Sequence, residues 1–122
     1  KTYGTPLPGD HPSEGAEMSA FFNQLPPELK SVALHIRNEG KRSGRQMNAQ
    51  RAQGGFVKGA SDVIIPGAPA FVCEMKSLSK GARLSKEQVT YLNNAADIGA
   101  FACVAYGYKA ALQAVSDWQA MR

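Results

Sequence analysis

Asp62, Glu74 and Lys76 are the residues of this 122-residue chain whose types and spacing could do chemistry. They lie in "SDVIIPGAPAFVCEMKS", residues 61–77, which reads as two short apolar strands joined by a turn through Pro66, Gly67 and Pro69. Residues two apart on a strand share a face, so Glu74 and Lys76 project together while Cys73 and Met75 point into a core. The turn folds the strand that Asp62 opens back beside the strand that carries Glu74. Two carboxylates held close repel, and Lys76 alone would neutralise only one. A hard divalent ion such as Mg²⁺ takes carboxylate and backbone carbonyl oxygens and would satisfy both. Such an ion polarises a phosphate oxygen and lowers the pKa of a bound water, while the lysine orients that water or stabilises developing charge. Phosphodiester hydrolysis suits this set. The plain alternative is a solvated cross-strand ion pair worth at most about 1 kcal/mol.

The elements that must position these residues can be read outward from the two strands. "LSKEQVTYLNNAADIG" follows them, with Ser85 as N-cap, Gln88 in the first turn, apolar Val89, Leu92 and Ala96, and Gly99 as a stop. "FACVAYG" reads as a short buried strand and "YKAALQAVSDWQAM" as a final amphipathic helix. Upstream, "SEGAEMSAFFNQL" offers Ser13 as N-cap, acidic residues in the first turn, and Met18, Phe21, Phe22 and Leu25 at helical spacing, with Pro26 and Pro27 as its stop. "SVALHIR" alternates like a strand over residues 31–37, and "GRQMNAQRAQGG" reads as a short polar helix ending at Gly54 and Gly55. The order is helix, strand, helix, two strands, helix, strand, helix: an α/β layer on a small mixed sheet. "KTYGTPLPGDHP" is Pro/Gly-rich without periodicity and is expected to be a flexible arm over residues 1–12, ordered only by a partner subunit, ahead of one domain over 13–122.

Length and a hydrophobic content of 43% fit one core. The formal charge of +4 permits a polyanionic partner without requiring one. Its distribution is more informative. Arg37, Lys41, Arg42, Arg45 and Arg51 stand against a single acid, Glu39, and Lys58 extends the run toward Asp62. Basic side chains along a loop and short helix can follow a phosphate backbone without reading bases. A second, weaker group is Lys80, Arg83 and Lys86. Cys73 and Cys103 fall in apolar runs, where free cysteine is a small buried hydrophobe, so a reducing, cytoplasmic setting is expected. No apolar run has the length of a membrane span, and no secretory leader is read at the start. The opening at Lys1 rather than Met leads us to expect that a few residues precede it. His11 and His35 have no partner at metal spacing, and Tyr106, Tyr108 and Trp118 are expected in the core or at a subunit contact.

"GASDVIIPGAPAFVCEMKSLSKGARLSKEQVTYLNNAADIGAFACVAYGYKAA" resembles the VRR-NUC branch of the PD-(D/E)XK nucleases. That branch pairs a Gly-x-Pro-Asp strand with an E-x-K strand, then a Gly-x-Leu-Ser-x-x-Gln helix, then a glycine and a hydrophobic strand ending in Gly. "HIRNEGKRS" and "SEGAEMSAF" resemble its upstream segments, so the similarity covers about residues 13–114. Ser61 replaces the usual proline before the aspartate, a position that biases the backbone but supplies no chemistry.

The resemblance implies a restriction-endonuclease-like core, a small mixed β-sheet flanked by helices. It implies a Mg²⁺- or Mn²⁺-dependent DNA endonuclease in which Asp62, Glu74 and the Met75 carbonyl hold the metal, assisted by Glu14 or Glu17. Lys76 would position the attacking water and Gln88 would support the lysine or the water. Standalone domains of this type are phage-like or bacterial and tend to be homodimers, which implies branched DNA such as a Holliday junction as substrate. The alternatives are a DNA-binding module of the same fold that does not cut, and a nonspecific DNA or RNA nuclease.

Overall fold

The two apolar runs around the Pro/Gly turn form adjacent strands at the centre of the molecule. The computed structural model describes residues 1–36, 54–55, 57–79 and 81–121. In chain order its elements are β1 (Thr2–Tyr3), α1 (Glu14–Gln24), α2 (Pro27–Lys30), β2 (Leu34–His35), β3 (Val63–Ile65), β4 (Phe71–Lys76), α3 (Lys86–Asp97), β5 (Phe101–Tyr106) and α4 (Tyr108–Ala120). The five strands make one mixed sheet in the order β1-β5-β4-β3-β2. β3 runs antiparallel to β4 with Val63 opposite Cys73, and β5 runs parallel to β4 with Cys103 opposite Cys73. One step along the β3–β4 ladder sets Asp62 opposite Glu74.

The alternation of β4 and β5 divides the sheet into two unlike faces. Cys73, Met75, Cys103 and Ala105 point to one side, where they pack with Met18 and Phe21 of α1 and Ala111, Ala114 and Trp118 of α4 in the main core. The Trp118 indole N–H donates to the Pro69 carbonyl at 2.8 Å, and a Cβ on Gly67 would lie 2.8 Å from the Trp118 ring, so the last helix seats directly on the β3–β4 turn. Val72, Glu74 and Val104 point to the other side and are equally buried; there α3 packs on β4 and β5. Both helices adjoining the site start as their residues dictate. The Ser13 hydroxyl accepts from the Ala16 N–H, and Ser85 and Gln88 form a reciprocal capping box.

Several elements differ from expectation. The first residues are packed: β1 pairs in parallel with β5 of the same chain, the Lys1 carbonyl accepts from the Val104 N–H, and the Leu7 N–H donates to the Leu78 carbonyl. The Tyr3 hydroxyl donates to Asp117 Oδ2 at 2.8 Å; burial and this bond push the Tyr3 hydroxyl up to about 12, and the bonds from Tyr3 and Gln113 hold Asp117 below the usual carboxylate range. Two residues that pair with a strand give no periodicity to read, so the Pro/Gly content dominated. The strand expected over 31–37 is only Leu34–His35, because Pro27 starts the short helix α2, whose end takes up Ser31 and Val32. The helix expected over 44–55 lies outside the described residues except for its closing Gly54 and Gly55.

Gly59 fixes how the approach to Asp62 meets α3. Its φ is +83°, and a Cβ there would overlap the Glu87 carbonyl and lie 2.7 Å from the Gln88 nitrogen. Both the left-handed backbone and the close approach require glycine. Gly59→Ala is therefore expected to destabilise the fold by about 1–3 kcal/mol, read as a lowered urea midpoint with an unchanged slope.

Candidate active site

Three elements each bring one carboxylate to the same place. Glu14 is the first residue of α1, Asp62 immediately precedes β3, and Glu74 sits on the inner strand β4. One carboxylate oxygen from each lies within 4.8 Å of the others. The Asp62 carboxylate is fixed by the sheet itself: its Oδ2 accepts from the Met75 N–H at 3.0 Å. In an extended strand the N–H and C=O of one residue leave by the same edge, so the Met75 carbonyl is directed to the Asp62 side of β4. Lys76 follows, mostly buried, with its ammonium 3.9 Å from Glu74 Oε2 and its carbonyl accepting from the Gly107 N–H.

Glu74 is 1% exposed. Its two oxygens have different surroundings. Oε2 accepts from the Gln88 amide at 3.2 Å and faces Lys76, whereas Oε1 is buried with no hydrogen-bond partner among the described residues. The Gln88 side chain thus does two things at once, since its carbonyl oxygen also accepts from the Ser85 N–H in the capping box. The family resemblance implies Gln88 beside the lysine or a water; its amide lies on the carboxylate that Lys76 also faces.

Burial, followed by hydrogen bonding to and repulsion from Asp62, pushes the Glu74 carboxyl from its ordinary 4.5 to about 9, with Lys76 pulling it back and Glu14 adding to the rise. Glu14 is also raised, chiefly by desolvation, against the pull of Lys76 and with the push of Asp62. A cluster in which a carboxyl must keep a proton at neutral pH lacks positive charge. A buried carboxylate oxygen without a hydrogen-bond partner among the described residues, on one of three carboxylates that meet, is what a hard divalent cation would complete, so the residues fit such an ion.

Glu17 is not part of this cluster. One helical turn beyond Glu14, it is 3% exposed and its Oε1 accepts from the Tyr108 N–H at 3.3 Å, at the start of α4, while Oε2 would lie 3.1 Å from a Cβ on Gly107. Of the two first-helix glutamates, Glu14 faces the carboxylates and Glu17 caps the last helix. Both stand in the first turn of one helix; the resemblance leaves Glu14 or Glu17 open, and the position of α4 decides between them.

Of the basic residues expected at a phosphate backbone, Arg37, Lys41, Arg42, Arg45 and Arg51 lie outside the described residues. Lys58 is described and exposed, beside the first turns of α3. His11 Nε2 is 2.9 Å from the Leu7 carbonyl oxygen and pins the arm, and the His35 ring lies 5.9 Å from that of Phe22; neither belongs to the carboxylate cluster. Cys73 and Cys103 are free, buried and side by side on β4 and β5; the contact with Cys103, then burial, pushes the Cys73 thiol well up. No described helix is long and apolar enough to cross a membrane.

The folded chain retains a proton on Glu74 that the unfolded chain releases above about pH 4.5, so this contribution to stability is complete below that pH and is lost as pH rises toward about 9. Glu74→Gln keeps the Gln88 contact without the charge. In EDTA, thermal melts of this variant are expected to show it more stable than the parent by about 1 kcal/mol or more at pH 8, with the difference vanishing near pH 5.

No family model and no curated protein matches the chain. A solved structure described as a "VRR_NUC domain protein" does, at 18% sequence identity and a TM-score of 0.67, over 91% of this chain and 89% of that one. The order of strands and helices around Asp62 and Glu74 is thus shared along nearly the full length of both, and this chain has the fold of a VRR-NUC domain.

Proposed function

We propose that this chain is a metal-dependent nuclease of the VRR-NUC family, with Glu14, Asp62 and Glu74 as its metal ligands. The single observation that carries the reading is the meeting of these three carboxylates from α1, the approach to β3, and β4, with Lys76 against one of them. Glu74 Oε1, free of other partners among the described residues, and the Met75 carbonyl would complete the protein's share of the coordination. A bound Mg²⁺ or Mn²⁺ supplies Lewis-acid polarisation of a phosphate oxygen and a more acidic bound water.

The chain's own residues do the remaining work. Gln88 holds Glu74 by Oε2 and so fixes the orientation of its carboxylate beside Asp62 and Glu14. The Met75 N–H holds Asp62 in the same way. Lys76, on the face of β4 that carries Glu74, donates a hydrogen bond to the attacking water and offsets charge that builds on the phosphorane oxygens. Lys58 and the basic run over residues 37–51 bind backbone phosphates without selecting sequence. DNA is the proposed substrate. Branched forms such as the four-way junction are its proposed preference, cut by a homodimer with one site per subunit; this finer part rests on the sequence resemblance. A phage or bacterial cytoplasm is the setting that goes with it.

The test is a panel of four-way junction, flap, plain duplex and RNA, incubated with Mg²⁺ or Mn²⁺. Asp62→Ala and Glu74→Ala are expected to lose cutting by more than about 100-fold, and both should lose the heat of Mn²⁺ binding in calorimetry. Variants that cut like the parent would remove these residues from the site. A parent chain that binds DNA but gives no metal heat would be a binding module of the same fold. Gln88→Ala, which frees Glu74 without removing a ligand, is expected to raise the Mn²⁺ concentration needed for half-maximal cutting by about tenfold, in line with loss of a group that orients a metal ligand.

A further inference from the structure

Beside the carboxylates, the outward face of α3 carries a cleft that the proposed chemistry does not use. Glu87, Thr90, Tyr91 and Asn94 fall at i, i+3, i+4 and i+7 on α3 and line one wall together with Lys86; Val57 and Lys58 line the other. Its volume is about 220 Å³. These α3 side chains are mostly polar, as on the solvent-facing side of an amphipathic helix. The core side of α3 is taken by Ala95, which is buried, and the polar face, with the Tyr91 ring among it, borders the cleft.

The cleft is tied to the site at two points. Glu87 precedes Gln88, whose amide holds Glu74, and Gly59 presses the 57–59 loop against the Glu87–Gln88 backbone three residues before Asp62. Tyr91 stands about 4.5 Å along the helix axis from Gln88. Through Gln88 and the 57–59 loop the cleft therefore adjoins the carboxylates.

We propose that this cleft is a subsite for one unpaired nucleotide of the bound strand. The inference rests on the nuclease reading for its substrate class. Lys58 and Lys86 at the two walls take the flanking phosphates, the Tyr91 ring supplies an aromatic contact for the base, and Thr90 and Asn94 offer hydrogen bonds to its edge. Glu87 argues against a site for bare phosphate, since a carboxylate in the lining repels an anion but accepts from a base amino group or a sugar hydroxyl. A base inside a duplex is stacked on both faces and paired along its edge, so it cannot enter a side cleft; only an overhang, a flap or a displaced base can.

The test measures binding in EDTA, by fluorescence anisotropy of a labelled duplex with a short single-stranded overhang, against a blunt duplex of the same length. The parent is expected to bind the overhang more tightly than the blunt end. Tyr91→Ala should weaken overhang binding by about tenfold and leave blunt binding unchanged, with Tyr91→Phe within about twofold of the parent. Asn94→Asp, at an exposed position, places a negative charge in the cleft without touching the core and should weaken overhang binding in the same selective way, so the outcome does not depend on whether Tyr91→Ala folds. Indifference of overhang binding to Asn94→Asp and to the Tyr91 variants, or equal loss on blunt duplex, overturns the subsite. Competition by free thymidine monophosphate at concentrations far below those of thymidine-phosphate units in the strand would also overturn it, in favour of a site for free nucleotide. A chain that binds overhangs through Tyr91 and Asn94 yet cuts nothing with Mg²⁺ or Mn²⁺ would keep the subsite and lose the nuclease reading; the opposite pattern would lose the subsite alone.

Discussion

Glu74 is a carboxyl taken out of water and set within reach of two others, and the elements around it are arranged to tolerate that. Burying a charge without a partner costs several kcal/mol. The chain reduces the cost in two ways: a proton on Glu74 when no cation is near, and a Gln88 amide and Lys76 ammonium on Oε2 in either case. With that proton off, Oε1 has no hydrogen-bond partner among the described residues. A group that is tolerated but not satisfied is a group poised for a ligand, and the same desolvation that makes it costly to ionise would make its attraction for a divalent ion strong.

Two of the carboxylates share the β3–β4 hairpin and the third comes from the start of α1, far away in the chain, so the site is only as firm as the packing that joins those segments. β4 is the common support. One face, through Cys73 and Met75, lies in the core with α1 and α4; the other carries Glu74 beneath α3. Glu17 joins the first and last helices at Tyr108, and the neighbouring Gly107 N–H bonds to the Lys76 carbonyl. The rotation of α1 that brings Glu14 to the cluster is thereby fixed by a residue one turn away that never touches it.

Local chemistry made much of this legible before any coordinates. The Pro/Gly turn, the alternation that separates Glu74 and Lys76 from Cys73 and Met75, and the Ser85–Gln88 capping box are decided by neighbours in sequence, and each occurs where the residues indicate. What could not be read depends on partners remote in the chain. Glu14 and Glu17 are equivalent acids in one helical turn until α4 is placed. Gln88 was visible as a capping residue, but its second bond, to Glu74, needs the packing of α3 on β4. Thr2 and Tyr3 form a strand only because β5 offers them an edge. The resemblance in motif order supplied what spacing alone could not, the expectation that the first helix contributes an acid.

The paired arm has a consequence for how copies of this chain can meet. With Thr2 and Tyr3 seated along Val104 and Ala105, the middle of β5 no longer presents free amides and carbonyls to a neighbour, and the sheet's other described border is β2, two residues long. Continuation of the sheet from one molecule into the next would gain very few backbone bonds at either side. Among the described residues, then, side-chain surfaces offer a pairing of subunits more than shared strands do, and the face that carries the three carboxylates would be oriented by helix packing rather than by a continuous sheet.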